Sequence, residues 1–240
     1  MAKKIVFSSG KGGVGKSTLS ASIAVCLSEM GFKTLIIDFD IGMGCLDMIF
    51  NCESSGIYNW GDVILERCDV KSATRTTVGP MLMTAPTGFS KKFTPENVKK
   101  LINSVENDYD YILFDSPAGV GNGFMLAASC ADSAIIVSTP DEVCVRAGNI
   151  AGEKIEELGI KDVRLIINKF NKKKVNKGKS LNIDEAIDAT YLQLIGIVPE
   201  DGRIALCSME GIFALDKAFS KAAILRITRR ITGMDVNLKI

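Results

Sequence analysis

The sequence predicts a doubly wound α/β fold, a mostly parallel sheet with helices on both faces, and three observations carry that prediction. Short apolar runs alternate along the chain with longer stretches of helical spacing, the pattern of repeated β-α units. Several of those runs close on a polar residue, among them Asp38, Asp115 and Asn168. The first run leads into Gly10-Lys11-Gly12-Gly13-Val14-Gly15-Lys16-Ser17-Thr18, a glycine-rich turn that opens a helix. Ligands of such sheets sit beyond the carboxyl ends of the strands, so the chemistry is expected where these residues fall.

Ile5-Val6-Phe7 is the first strand of this pattern. The four glycines of the following turn let backbone N–H groups converge on an anion without Cβ clashes. The helix behind adds unpaired N–H groups and the positive end of its dipole. Lys16 is placed to reach the β- and γ-phosphates of a nucleotide, and the Ser17 hydroxyl to ligate Mg²⁺. The helix itself spans Lys16 to Met30, with Leu19, Ile23 and Leu27 on one face and Gly31 as its stop.

Thr34-Leu35-Ile36-Ile37 is a second, buried strand that ends at Asp38-Phe39-Asp40. In an extended segment Asp38 and Asp40 share a face. Two carboxylates beside Mg²⁺ and a triphosphate are equipped to position water for in-line attack; the alternative is two strand-end acids making turn contacts. Residues 41–80 read mostly as loop, with a helix over Ile57 to Leu65. Met81 to Thr84 is strand-like, and Thr94 caps a helix with Pro95 at its first position and Val98, Leu101, Ile102 and Val105 on one face. Tyr111 to Phe114 is a strand ending at Asp115-Ser116-Pro117-Ala118-Gly119, where the carboxylate is expected to support Mg²⁺ through water. Gly119 stands where an amide senses a γ-phosphate. Strands over Ala134 to Val137, Val163 to Ile167 and Leu194 to Val198, a helix over Asp141 to Leu158 and a final helix over Phe213 to Ile231 complete one domain, residues 1–240.

Composition excludes several alternatives. The chain has no histidine, so no imidazole base, Ser-His-Asp triad or histidine metal site exists in it. Its seven cysteines are scattered without a C-x-x-C pair and are expected to be small core residues. Net charge is +1, so no global field draws the chain to DNA or acidic lipid. No apolar run approaches the ~18 residues of a membrane span, and the first residues lack a signal-peptide core, so the expected location is cytoplasmic.

Lys11 is the unusual residue of the loop, because Lys16 already occupies the chain's own phosphates. Lys11-Gly12-Gly13-Val14-Gly15-Lys16-Ser17-Thr18 resembles the deviant Walker A loop of the MinD/ParA family of P-loop ATPases. Phe39-Asp40-Ile41-Gly42, Leu46-Asp47, Asp115 to Gly119 and Ile195-Gly196-Ile197-Val198-Pro199-Glu200-Asp201 are similar to its MinD branch. The resemblance spans nearly the whole chain. It implies a Mg²⁺-dependent ATPase that dimerises around ATP, with Lys11 crossing to the partner's phosphates and Asp40 orienting the attacking water. It also implies Asp38 in switch I near the metal, Asp115 in switch II, Asn168 reading adenine and the Pro199–Asp201 loop over the base. The implied function is a switch for spatial positioning, foremost the division septum. ParA-type DNA partitioning or flagellar placement is the alternative. Metallocentre assembly is a more distant one, since Gly119 to Phe124 lacks the cysteines that bridge such dimers.

The chain departs from the MinD pattern at three places. Only seven residues follow Gly233, too few for an amphipathic membrane anchor, so peripheral contact with the inner face of the membrane is left to Arg226 to Arg230. That basic stretch is expected to be a solvated helix face. Ala147-Gly148-Asn149 replaces acidic residues on the helix where division-regulator partners dock. Finally, Lys169, Lys172, Lys173, Lys174, Lys177 and Lys179 form a basic run, expected to be a solvated loop ahead of a contact for DNA or anionic lipid.

Overall fold

The computed structural model describes residues 1–52 and 56–238. Eight strands form one sheet in the order β3-β4-β2-β5-β1-β6-β7-β8. They are β1 (Lys3–Ser8), β2 (Thr34–Asp38), β3 (Thr74–Thr76), β4 (Met81–Met83), β5 (Tyr111–Asp115), β6 (Ser133–Ser138), β7 (Val163–Phe170) and β8 (Gln193–Pro199). Every pairing is parallel except β3 with β4, at one edge. The central strands are buried on both faces, which is why they read as unbroken apolar runs.

Helices cover both faces. On one side α1 (Lys16–Glu29), the short α2 (Leu46–Ile49) and α12 (Lys221–Ile231) enclose a core that includes Phe7, Leu19, Ile23, Leu113, Ile166 and Ile227. On the other, α3 (Trp60–Ile64), α5 (Pro95–Val105), α6 (Asn122–Ala128), α7 (Glu142–Glu157) and α9 (Ile183–Thr190) close over Phe39, Trp60, Phe114, Phe124 and Leu165. The remaining helical turns are α4 (Val70–Ala73), α8 (Lys172–Asn176), α10 (Gly202–Ala205) and α11 (Cys207–Glu210). Among the described residues no helix is long and apolar enough to cross a membrane.

Sequence and structure agree best where the local signal is chemical. Thr94 Oγ1 accepts the Asn97 N–H at 3.3 Å with Pro95 at the first helical position, and Asp141 caps α7 through the Cys144 N–H at 3.0 Å. Five expectations need correction. The helix expected over Ile57 to Leu65 begins only at Trp60, because the capping box of Asn59 and Asp62 fixes its start. Residues 41–80 hold α2, α4 and β3 as well; residues 53–55 of that stretch lie outside the described residues. α6 follows the Asp115 to Gly119 segment where no helix was expected. β7 continues past Ile167 to Phe170, and Asn171 then caps α8, so the basic run is not a plain loop.

The expected final helix is two elements. A 3₁₀ turn covers Ile212–Lys217, Ala218 is extended, and α12 begins at Lys221. The break is pinned by Asp201, whose Oδ2 accepts the Ser220 N–H at 2.9 Å. The basic face is also partly spent inside the molecule. Lys221 pairs with Glu29 at 2.9 Å and Asp216 at 2.8 Å, and Arg230 holds the carbonyls of Ile195 and Val236.

Candidate nucleotide-binding site

The carboxyl ends of β1, β2 and β5 meet in one place, because β1 and β2 flank β5 in register: Phe7 lies opposite Asp115, and Asp115 opposite Asp38. The loop after β1 therefore wraps back over both carboxylates. Lys16 is buried, and its Nζ donates to Asp115 Oδ1 at 2.8 Å and to Ser17 Oγ at 3.1 Å. The Ser20 hydroxyl, one turn further along α1, donates to the same Oδ1 at 3.0 Å. Asp115 Oδ2 is buried and has no partner among the described residues.

That orphaned oxygen is the test of whether Mg²⁺ fits. A buried carboxylate oxygen left unpaired is costly unless a cation or its water takes the lone pairs. It lies on the carboxylate whose other oxygen is bonded to Lys16, itself bonded to Ser17, so the donor set is all oxygen, as Mg²⁺ demands. The residues present fit the ion.

Asp38 behaves differently from the expected shared carboxylate face. The strand ends at Asp38, and its Oδ1 accepts the Asp40 N–H at 2.9 Å while Oδ2 accepts those of Cys45 at 3.0 Å and Leu46 at 3.2 Å. The segment therefore turns rather than running extended through Asp40, which stands half-buried. Asp38 thus organises the loop from Asp40 to Leu46, and the Trp60 indole N–H donates to its backbone carbonyl at 2.7 Å. Burial, then the charge of Asp115, pushes the Asp38 carboxyl up to about 7 against the amides of Asp40 and Leu46 and the charge of Lys16. Burial raises Asp40 as well, with Lys16 opposing and Asp115 adding to the shift.

The Asp38 shift has a measurable sign. An unfolded Asp releases its proton near 3.8, whereas the folded carboxyl keeps it until about 7. Between those values the native state binds more protons, so stability of the nucleotide-free protein falls as pH rises from about 4 to about 7. Urea melts at steps across that window check this, and Asp38→Asn should flatten the slope.

The loop backbone is held from the far side of the site. The Asn168 side-chain NH₂ donates to Val14 O at 2.7 Å, and Lys169 Nζ donates to Gly13 O at 2.6 Å. The Asn168 amide nitrogen expected to read adenine is therefore committed to the loop in this structure. Gly15 is required twice over, since its φ is 92° and a Cβ there would collide with Asn168. At the loop's other end, Gly10 packs against the Ala147 carbonyl so closely that a Cβ would overlap it. Ala147, the departure noted on α7, thus supports the loop. The Gly119 amide donates to Ser9 O at 2.8 Å, so it too is engaged here rather than facing a phosphate.

A cavity of about 430 Å³ opens beside the loop, lined by Gly13, Gly15, Thr18, Asn168, Lys169 and the Pro199–Asp201 segment. Asp201 is fixed beneath it by the amides of Arg203 at 2.8 Å and Ser220 at 2.9 Å. Glu200 receives Lys174 at 2.8 Å and Asn171 at 2.8 Å, so part of the basic run closes this cavity's rim. The structure therefore brings Lys16, Ser17, Asp38 and Asp115 together and sets Asn168 and Pro199–Asp201 around the adjoining space. Lys11 stands apart. It is exposed and makes no hydrogen bond or ion pair among the described residues, though its charge is felt at Asp141 and Cys144.

Three residues of the site were missed in the sequence. Ser20 was findable, lying four residues after Lys16 on the same helix face. Lys169 and Trp60 were not, because their contacts reach across the fold. Among the described residues no disulfide forms; Cys26, Cys52, Cys130, Cys144 and Cys207 are buried as expected, whereas Cys45 and Cys68 are only half-buried and not core residues.

Comparison with known proteins agrees with this geometry. A family model described as ParA, NUBPL iron-transfer P-loop NTPase matches residues 1–231. The septum site-determining protein MinD of Bacillus subtilis is 34% identical over 248 residues, covering 100% of this chain and 92% of its own. The MinC:MinD cell division protein complex of Aquifex aeolicus superposes with a TM-score of 0.90 at 33% identity, covering 100% of this chain and 99% of that one. MinD complexed with Mg-ADP from Pyrococcus horikoshii OT3 gives 0.84 at 26% identity over 96% of both chains. The fold is that of these MinD structures, and the chain belongs to the ParA/MinD family of P-loop NTPases.

Proposed function

We propose that this protein is a MinD-like ATPase, a switch that dimerises on ATP and comes apart after hydrolysis, serving placement of the division septum. The observation that carries the dimeric part is Lys11, exposed and unpaired at the outer end of a loop whose inner lysine is buried on Asp115. A cation so placed is in no ion pair within its own chain among the described residues and is available to the phosphates held by a second copy. MinD relatives, one of them solved in complex with MinC and another with Mg-ADP, support the division role, a division-regulator partner and a Mg-nucleotide ligand.

In this reading the loop amides and Lys16 hold the triphosphate, while Ser17 and Asp115, the latter through water, hold Mg²⁺. The ion neutralises charge on the β- and γ-oxygens. Asp40, half-buried beside Asp38, orients the attacking water. Asp38 fixes the switch I turn on which Asp40 sits, so Asp38 acts through backbone geometry. Asn168 keeps the loop in shape, and the Pro199–Asp201 wall encloses the base. Loss of the γ-phosphate removes the charge that Lys11 of each copy would neutralise, and the dimer opens.

A metal-delivery role suits the description of the family model, but the stretch from Gly119 to Phe124 holds no cysteine with which two copies could share a cluster. DNA partitioning would call on the basic run, of which Lys169 and Lys174 are already spent on Gly13 and Glu200. Sedimentation velocity decides the switch. The protein is expected to be monomeric with Mg-ADP and dimeric with Mg-ATP, with a shift in the fluorescence of its sole tryptophan, Trp60, as the Asp38 turn responds. Identical mass in both nucleotides would sink the reading.

A further inference from the structure

At the amino ends of β1, β6, β7 and β8, the opposite end of the sheet from the phosphate loop, lies a second cavity of about 260 Å³. It sits on the α12 face. That helix closes over β8 at Gly196, where a Cβ would collide with Ile227, and the cavity opens beyond this contact. Its wall carries three cations, Lys3, Arg164 and Arg230, against one carboxylate, Asp162.

Of the three cations, Arg164 is neutralised. Its Nε donates to Asp162 at 2.5 Å and its Nη1 to the Gln193 side chain. Arg230 is drawn under the sheet by carbonyls alone, Nη1 to Ile195 O at 2.7 Å and Nε to Val236 O at 2.9 Å. Its Nη2 is buried and has no partner among the described residues. Lys3 Nζ donates to Ile231 O at 3.0 Å, which uses one of an ammonium's three donors. Carbonyl oxygens orient these groups without cancelling their charge. Burial, and then the like charge of Arg226, holds the Arg230 guanidinium below its ordinary value, with only Asp235 pulling the other way.

A buried guanidinium NH₂ left without an acceptor is costly, and an ammonium with spare donors stands on the same wall. An anion with several acceptor oxygens relieves both at once, since charge-assisted bonds from guanidinium and ammonium to an oxyanion are among the stronger ones. The cavity has room for a tetrahedral ion and is well short of the space a nucleotide would occupy. We propose that it binds a small dissolved oxyanion of the phosphate class, held by Lys3 Nζ and by the Arg230 guanidinium, whose buried Nη2 swings into the cavity to donate. Because Lys3 begins β1 and Arg230 lies on α12, the bound ion fastens the last helix and its following segment to the centre of the sheet.

The test uses the whole protein saturated with Mg-ADP, so that the phosphate loop is filled. Inorganic phosphate is titrated by calorimetry at constant ionic strength, with chloride as the control ion, and the melting temperature is followed in parallel. One saturable phosphate site is expected, with a rise in melting temperature that chloride does not give. Lys3→Gln and Arg230→Gln should each weaken it roughly tenfold or more. Should Arg230→Gln fail to fold, the exposed Lys3 carries the decision alone. Absence of saturable binding with the loop filled overturns the proposal. So does binding that both variants retain, which would mark an adventitious ion elsewhere.

Discussion

Replacing Lys16 by methionine will abolish ATP turnover and, as a separate effect, destabilise the nucleotide-free protein by about 3–5 kcal/mol. The two losses have different origins. Turnover falls because the loop loses the one buried cation aimed at the phosphates, and removing a preorganised donor of this kind costs on the order of a hundred- to a thousandfold or more. Stability falls because Asp115, 1% exposed, is left with only the Ser20 hydroxyl as a partner. Adding Asp115→Asn separates the effects. The double variant should regain most of the lost stability, since the stranded carboxyl group is gone, while activity stays absent because the Mg²⁺ position has lost its carboxylate. Denaturant melts and a phosphate-release assay on the two single variants and the double complete the cycle. If Lys16→Met alone melted like the wild type, the buried pair would not be the anchor of this site.

The same pair shows how far the sequence could be read. The loop from Gly10 to Thr18 is legible because phosphate binding constrains each residue type locally, and Asp115 is legible because it ends an apolar strand. The parallel sheet follows from β-α alternation but its strand order does not, and β3 was not legible at all: its three residues Thr74–Thr76 have neither length nor apolar pattern and are recruited by pairing with β4. The split of the last helix was illegible for a related reason. Helical spacing runs on through Phe219, but a carboxylate nineteen residues before Ser220, Asp201, takes the Ser220 N–H and fixes the break. Asp38 and Asn168 were picked out by position and not by contact. Both turn out to bind backbone, of switch I and of the phosphate loop respectively, and no periodicity reports a hydrogen bond across 154 residues of sequence. Chemistry carried by neighbours in the chain was readable; chemistry carried by neighbours in space was readable only for residue types with few other uses.

Lys11 and Asp40 should separate assembly from hydrolysis. Lys11→Ala is expected to remain monomeric with Mg-ATP and to lose turnover by roughly the 10³–10⁵-fold that a cation supplied in trans is worth. Its fold should be untouched, because Lys11 is exposed and holds no partner whose loss would be felt. Asp40→Ala should do the reverse, assembling with Mg-ATP and then failing to come apart, since the loop, Lys16 and Asp115 are intact and only the group beside the attacking water is gone. Its dimer should therefore survive for as long as ATP is present, whereas the wild-type dimer decays with turnover. Asp40 also contributes its backbone N–H to Asp38, which alanine preserves, so the switch I turn itself is not at issue. Mixing the two variants gives the sharpest result. In a Lys11→Ala/Asp40→Ala heterodimer, the intact Lys11 of the Asp40→Ala chain reaches the phosphates of the Lys11→Ala chain, whose own Asp40 is intact. One of the two sites is then complete, and the mixture should recover up to about half the wild-type rate per dimer, although neither parent hydrolyses alone. A mixture as inactive as its parents would mean that Lys11 serves its own chain.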